Sequence, residues 1–183
     1  FGTAANGNVA QMARIDDPRR FTAVLSFAKD AEYNILTAAG TASRSLKKGF
    51  TTAQTEYDAG WSEFVKKLPR VDTKYQAQFN MAAMQLKALE DKTARGANIA
   101  SLTVPWGGGT NANENNIGGY HLVWSRDLYQ VFTAYMAIGD RAAAERALDF
   151  LLKVQQKPDG SFPQNSWLDG KPVRVSPTAD LSA

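Results

Sequence analysis

Leu128-Tyr129-Gln130-Val131-Phe132-Thr133-Ala134-Tyr135-Met136-Ala137-Ile138-Gly139-Asp140-Arg141-Ala142-Ala143-Ala144-Glu145-Arg146-Ala147-Leu148-Asp149-Phe150-Leu151-Leu152 is the stretch that decides the fold. Leu128, Val131, Phe132, Tyr135 and Met136 recur at helical spacing and form an apolar stripe that begins after Arg126 and stops at Gly139. Asp140 follows at once and is a good N-cap for a second helix, whose apolar stripe runs through Ala144, Ala147, Leu148, Leu151 and Leu152. Two helices with almost no loop between them make an αα-hairpin, the unit of bundles, α-solenoids and α/α toroids. No fixed-period self-similarity accompanies it, which argues against a simple solenoid.

Upstream, three more helices are predicted. Glu32–Lys48 ends at Gly49, with Lys47 and Lys48 suited to its negative end. Tyr57, Trp61, Phe64 and Leu68 line one face of a second helix, stopped by Pro69. A third, about Lys74–Asp91, aligns Phe79, Ala82, Ala83 and Leu86. Before residue 30 the period is different. Asn8–Ile15 and Arg20–Ala28 read as strands, the latter placing Phe21, Ala23, Leu25 and Phe27 on one face, with Asp16-Asp17-Pro18 as the turn between them. Two strands make no stable sheet alone, so their partners are expected upstream of this sequence.

Composition narrows the chemistry. With 44% hydrophobic and 21% charged residues the chain has ordinary globular usage, so disorder is not indicated. A net charge of +3, with no basic stripe, gives no reason to expect nucleic acid as a partner. No apolar run approaches the roughly 18 residues of a membrane span, and no membrane partner is expected. Phe1-Gly2-Thr3-Ala4-Ala5-Asn6 has no basic flank or apolar core and does not read as a signal peptide. There is no Cys and a single His, His121, which makes thiol and zinc chemistry poor expectations.

Two irregular stretches interrupt the helices. Gly96–Ser125 runs through Pro105-Trp106-Gly107-Gly108-Gly109 and the Asn-rich segment 111–116, and is too long for a mere connector. Lys157–Trp167 is the other. Trp106, Tyr120, Trp124, Phe162 and Trp167 all lie on or beside them. Sugar rings present apolar faces rimmed by hydroxyls, so a site for them needs flat aromatic walls and bidentate polar groups. Packing of loops onto helix ends is the competing use of the same aromatics. Arg126 and Asp127 stand where the first loop enters a helix. Asp127 there suits the helix N-terminus as a cap, or the adjacent pair forms a fork matching neighbouring hydroxyls on one sugar.

Gly119-Tyr120-His121-Leu122-Val123-Trp124-Ser125-Arg126-Asp127-Leu128 closely resembles the Gly-Tyr…Trp-x-Arg-Asp motif of glycoside hydrolase family 15. Tyr57…Gly60-Trp61, Ala100-Ser101…Pro105-Trp106-Gly107 and Asp159-Gly160-Ser161-Phe162-Pro163-Gln164-Asn165…Trp167…Asp169-Gly170 are similar to its bacterial glucoamylase and glucodextranase branch. The resemblance runs from about Gly7 to Pro172. It implies a mainly α fold: part of an (α/α)6 barrel preceded by the last strands of a β-sandwich domain. The expected division is residues 1–30 as sandwich strands, 31–69 as a helical linker and 70–183 as the first part of the barrel.

By the same resemblance the substrate is an α-glucan oligosaccharide or polysaccharide. Arg126 and Asp127 hold hydroxyls of the terminal glucose, Trp124 walls the pocket, Tyr120 lies near the catalytic water, and Trp106 and Trp167 line the approach. A secreted or extracytoplasmic setting is implied, and no cofactor. Calcium occurs in some relatives, yet no ligand spacing for it is present here. The family inverts configuration with a carboxylic acid and a carboxylate about 6.5–9.5 Å apart. The acid normally lies in a Gln-x-Asp-Glu-like segment after the Asp-Gly-x-Pro stretch. Here Asp169-Gly170-Lys171-Pro172 leads into residues 173–183, which hold no Glu, and Asp180 is only loosely placed. The general acid and base are therefore expected in sequence beyond this chain, together with the rest of the barrel. A non-catalytic carbohydrate-binding protein and a helical interaction scaffold are the alternative readings.

Overall fold

The computed structural model describes residues 12, 14–15, 19, 21–27, 34–102 and 120–173. They fall into two compact units, divided between Lys66 and Lys67. Most of the regular structure is helical.

The smaller unit holds α1 (Asn34–Lys48) and α2 (Phe50–Lys66). Lys47 and Lys48 stand in the last turn of α1, and Lys48 also pairs with Glu56 of α2. On α2 the anticipated aromatic stripe is present as a ladder. Tyr57 meets Trp61 edge-on at 6.3 Å, and Trp61 meets Phe64 at 5.9 Å. The helix ends two residues short of Leu68, which is buried in the other unit. Of the two strands expected before residue 30, Asn8–Ile15 lies almost wholly outside the described residues. Residues 21–27 of the second form no sheet pairing among them, and Phe21, Leu25 and Phe27 are exposed.

In the larger unit, α3 (Thr73–Ala88) is capped by Asp72, whose carboxylate accepts from the Lys74 amide. The chain then turns, and Glu90 bridges to Asn98 so that the segment folds back on itself. α4 (Ser125–Ala137) and α5 (Arg141–Phe150) form the expected hairpin across Gly139, with Asp140 accepting from the Ala143 amide. The stripes are shifted from those expected. Ala82, Met136, Leu148 and Leu152 are exposed, while Ala143 and Phe150 join Ala144, Ala147 and Leu151 in burial. Each exposed position sits one residue from a packed one, about 100° around the helix. Alanines on the packed face of α5 bring its backbone close to its neighbours. Ala97, Val123, Leu128, Ala147, Phe150 and Leu151 form the core cluster.

The last turn of α5 widens into a π-helical turn, Leu151–Gln155, closed by a 2.9 Å bond from the Gln156 amide to the Leu151 carbonyl. Beyond it, β2 (Asn165–Ser166) pairs antiparallel with β1 (Val123–Trp124), in the register Val123 with Ser166 and Trp124 with Asn165. Two close backbone approaches need glycine. A Cβ on Gly96 falls 2.1 Å from the Arg146 carbonyl oxygen, and one on Gly170 falls 2.4 Å from that of Val154. Both residues hold φ above +80°.

Side-chain polar groups tie the elements together. Glu90, its side chain 2% exposed, accepts from Arg146 at 2.6 and 2.9 Å, with Arg95 and Lys87 alongside. Burial alone would raise its pKa, but the Arg146 hydrogen bonds and the Lys87, Arg146 and Arg95 charges hold it down at about 2. Tyr135 is fully buried on α4. Its hydroxyl donates to the Leu86 carbonyl and accepts from Asn98 Nδ2, and burial pushes its pKa up to about 12.

Candidate functional site

The start of α4 is held from three sides. Gln155, 2% exposed, donates through Nε2 to the Val123 carbonyl at 2.9 Å and to Ser166 Oγ at 2.7 Å. Ser125 Oγ donates its one hydrogen to the Pro163 carbonyl at 2.7 Å and lies 3.3 Å from the Gln155 Oε1. The Ser125 amide donates to the Gln164 carbonyl. One carboxamide at the end of the π-helical turn thus fixes β1, β2 and the first residue of α4 together.

The two ends of the long loop are also joined. The Ala100 amide donates to the Leu122 carbonyl at 3.1 Å, and the Ser101 amide to the Tyr120 carbonyl at 2.9 Å. Tyr120 therefore stands at the loop's base, 40% exposed, two residues before the buried pair Leu122 and Val123. Trp106 lies outside the described residues.

Strand alternation separates the side chains of the ribbon. Val123 and Ser166 share one face and are fully buried against Gln155. Trp124 and Asn165 share the other by register. Extending the alternation one residue carries Trp167, 38% exposed, to that same face. Trp167 opens a turn in which its amide donates to the Lys171 carbonyl and the Gly170 amide donates back to its own carbonyl.

Arg126 and Asp127 follow in the first turn of α4, both exposed. Trp124 occupies the N-cap position with no side-chain cap bond, so Asp127 does not cap the helix through its side chain. Its charge still lies at the positive end. Neither Arg126 nor Asp127 forms a hydrogen bond or an ion pair among the described residues. A guanidinium and a carboxylate thus leave consecutive positions of the first turn, about 100° apart around the helix, just after a half-buried indole. Such a set can grip vicinal hydroxyls, one donating and one accepting, over a flat apolar wall.

Tyr120, Trp124, Arg126, Asp127 and Trp167 are therefore carried by contiguous backbone around one ribbon and one helix start. Gln155, Ser125 and Ser166, which organise them, were not singled out by the sequence reading. The signal was present, because Gln155 continues the stripe Ala144, Ala147, Leu151 at helical spacing and so falls on the buried face. No group of three metal-ligating side chains occurs among the described residues. No described helix is long and apolar enough to cross a membrane.

Comparison with known sequences covers most of the chain. Residues 1–66 match the domain described as glucodextranase, domain N, and residues 74–164 match the glycosyl hydrolases family 15. A glucoamylase from Clostridium sp. (strain G0005) is 40% identical over 171 residues. That similarity takes in 92% of this chain and 23% of the glucoamylase, so the chain spans about a quarter of the length of this relative.

Proposed function

The chain belongs to glycosyl hydrolase family 15, and on that premise we propose that it forms the glucose-holding wall of an inverting, exo-acting α-glucoside hydrolase. The substrate is the non-reducing end of a starch-like or dextran-like glucan. Arg126 and Asp127 take vicinal hydroxyls of the terminal glucose, Trp124 stacks on the ring, and Tyr120 and Trp167 close the sides of the pocket. Residues 1–30 supply the last strands of a sandwich domain, 31–69 a helical linker, and 70–183 the first part of the barrel. The enzyme works in an extracytoplasmic setting and needs no cofactor.

One observation supports this reading above the others. Arg126 and Asp127 are consecutive in the first turn of α4, exposed and bonded to nothing among the described residues, so both keep their full hydrogen-bonding capacity for a ligand. Gln155 fixes the helix start that carries them, so binding has to order their side chains but not their backbone. Bond cleavage also needs an acid and a base, with room for a water between them. Neither is assigned to a residue of this chain. The chain accordingly binds without cleaving, and the gene product extended in both directions cleaves.

Calorimetric titration with maltose and with isomaltose tests this. Heat from either sugar is expected, weakened about tenfold by Asp127→Ala, the loss of one charge-assisted hydrogen bond. No heat from either sugar removes the reading, as does an Asp127→Ala variant that binds like the unchanged chain. Glucose release by the extended product, absent on every α-glucan tried, removes the hydrolase assignment and leaves a binding protein.

A further inference from the structure

Asn165 is 4% exposed, and its carboxamide forms no hydrogen bond among the described residues, its Oδ1 being shut off from solvent and without a partner. That is an expensive arrangement, since a buried amide left unbonded forfeits its hydration with nothing in return. Asn98 provides the contrast. Its Oδ1 is also unpartnered, but its Nδ2 donates to both the Leu86 carbonyl and the Tyr135 hydroxyl, so its place in the fold is explained. Asn165 has no such anchor. Its backbone is held, with the carbonyl accepting from the Val173 amide, while its side chain does nothing for the fold.

Its location is specific. Asn165 is the cross-strand partner of Trp124, and side chains directly opposite on an antiparallel pair have Cβ atoms roughly 5 Å apart on the same face. Ser166, the next residue, is clamped by Gln155, and the neighbouring Gln164 carbonyl receives the Ser125 amide that starts α4. The unsatisfied carboxamide therefore sits directly across the ribbon from Trp124, the residue from which α4 and its Arg126 and Asp127 set out. An amide torsion at χ2 is broad, so a modest rotation turns the oxygen toward a ligand resting on Trp124.

Resting on the proposed function, we infer that Asn165 is a further sugar-binding residue, its Oδ1 accepting a hydroxyl of the ring stacked on Trp124. An oxygen accepts only, so the ligand group is an O–H donor, and Asp127 and Asn165 take different hydroxyls from two sides of the indole. Discrimination follows. A site that leaves a buried acceptor unmet rejects a sugar lacking that hydroxyl more strongly than a purely apolar wall does.

The test is a titration of the intact chain with maltose, alongside thermal denaturation without sugar. Asn165→Ala and Asn165→Leu are expected to bind at least about fivefold more weakly, while Asn165→Asp, which keeps an acceptor in the same shape, stays within about threefold. Without sugar, the Ala and Leu variants melt at the same temperature as the unchanged chain or higher, because an unmet polar group has been removed. Unchanged maltose affinity in both overturns the inference while leaving the Asp127-dependent reading intact. A clear fall in melting temperature also overturns it, since the carboxamide then serves the fold through water. Loss of binding in Asn165→Asp shows that the amide nitrogen donates and overturns the acceptor role. If the unchanged chain gives no heat with maltose, the same variants are titrated with isomaltose, and no heat from that sugar either makes both readings fall together.

Discussion

Glu90 holds a carboxylate inside the protein at full charge because three cations surround it. Its side chain is 2% exposed and meets Arg146 through both oxygens. The folded pKa of about 2 lies below the ordinary 4.5, so the stability it supplies is complete above about 4.5 and is lost as the pH falls through about 2. The difference corresponds to about 3 kcal/mol at neutral pH. Circular dichroism during acid titration is expected to show the larger unit loosening across that window. Glu90→Gln removes the charge and leaves Arg146 facing a neutral amide, at a cost of about 3 kcal/mol. In that variant the acid limb flattens, and an unchanged limb contradicts the assignment. The place of Arg126 and Asp127 at a helix start was legible in the sequence, because loop and apolar stripe meet there in one contiguous stretch. Glu90 was not, since its partner stands 56 residues away and only the fold joins them.

Gln155 makes the junction between α5 and the ribbon specific. Replacing it with Ala removes the bonds to Val123 and Ser166 and leaves their polar atoms buried. A loss of about 2 kcal/mol is expected, at about 1 kcal/mol per bond, read by urea unfolding. At Gly170 the left-handed backbone lies against Val154, so Gly170→Ala is expected to cost more than the about 1–2 kcal/mol of the φ angle alone. Both variants disturb the ribbon, and both are expected to weaken maltose binding as well as stability. The helices were legible because their stops are chemical: Gly139 followed by Asp140, Gly49, and the approach to Pro69. The faces were less so. Alanine-rich α5 offers two nearly equivalent stripes, and the choice between them rests on what α4 and the Ala97 segment present. The π-helical turn left no mark at all, because Leu151–Gln155 reads as uninterrupted helix.

Taken whole, the two units carry much uncovered apolar surface. Phe21, Leu25, Phe27 and Leu36 are between 56% and 81% exposed on one, and Met81, Met136 and Leu152 between 48% and 55% on the other. Surfaces of this kind seek a cover. Light scattering after gel filtration is expected to show the mass of the chain rising with concentration, and Leu25→Ser with Phe27→Ser to reduce that rise. A monomer at every concentration contradicts this. The sequence ends its helical linker at residue 69, where Pro69 stops the second helix, and the two compact units divide three residues earlier, after Lys66. The stitched base of the long loop has a consequence for variation. With Ala100 bonded to Leu122 and Ser101 to Tyr120, the two ends of that loop are joined to each other by backbone hydrogen bonds. Doubling a loop whose ends are already joined costs only about 0.6 kcal/mol in closure entropy. Length added between 102 and 120 is therefore expected to cost the larger unit little stability, and on the function proposed above this is the place where a related chain changes its preference among glucans.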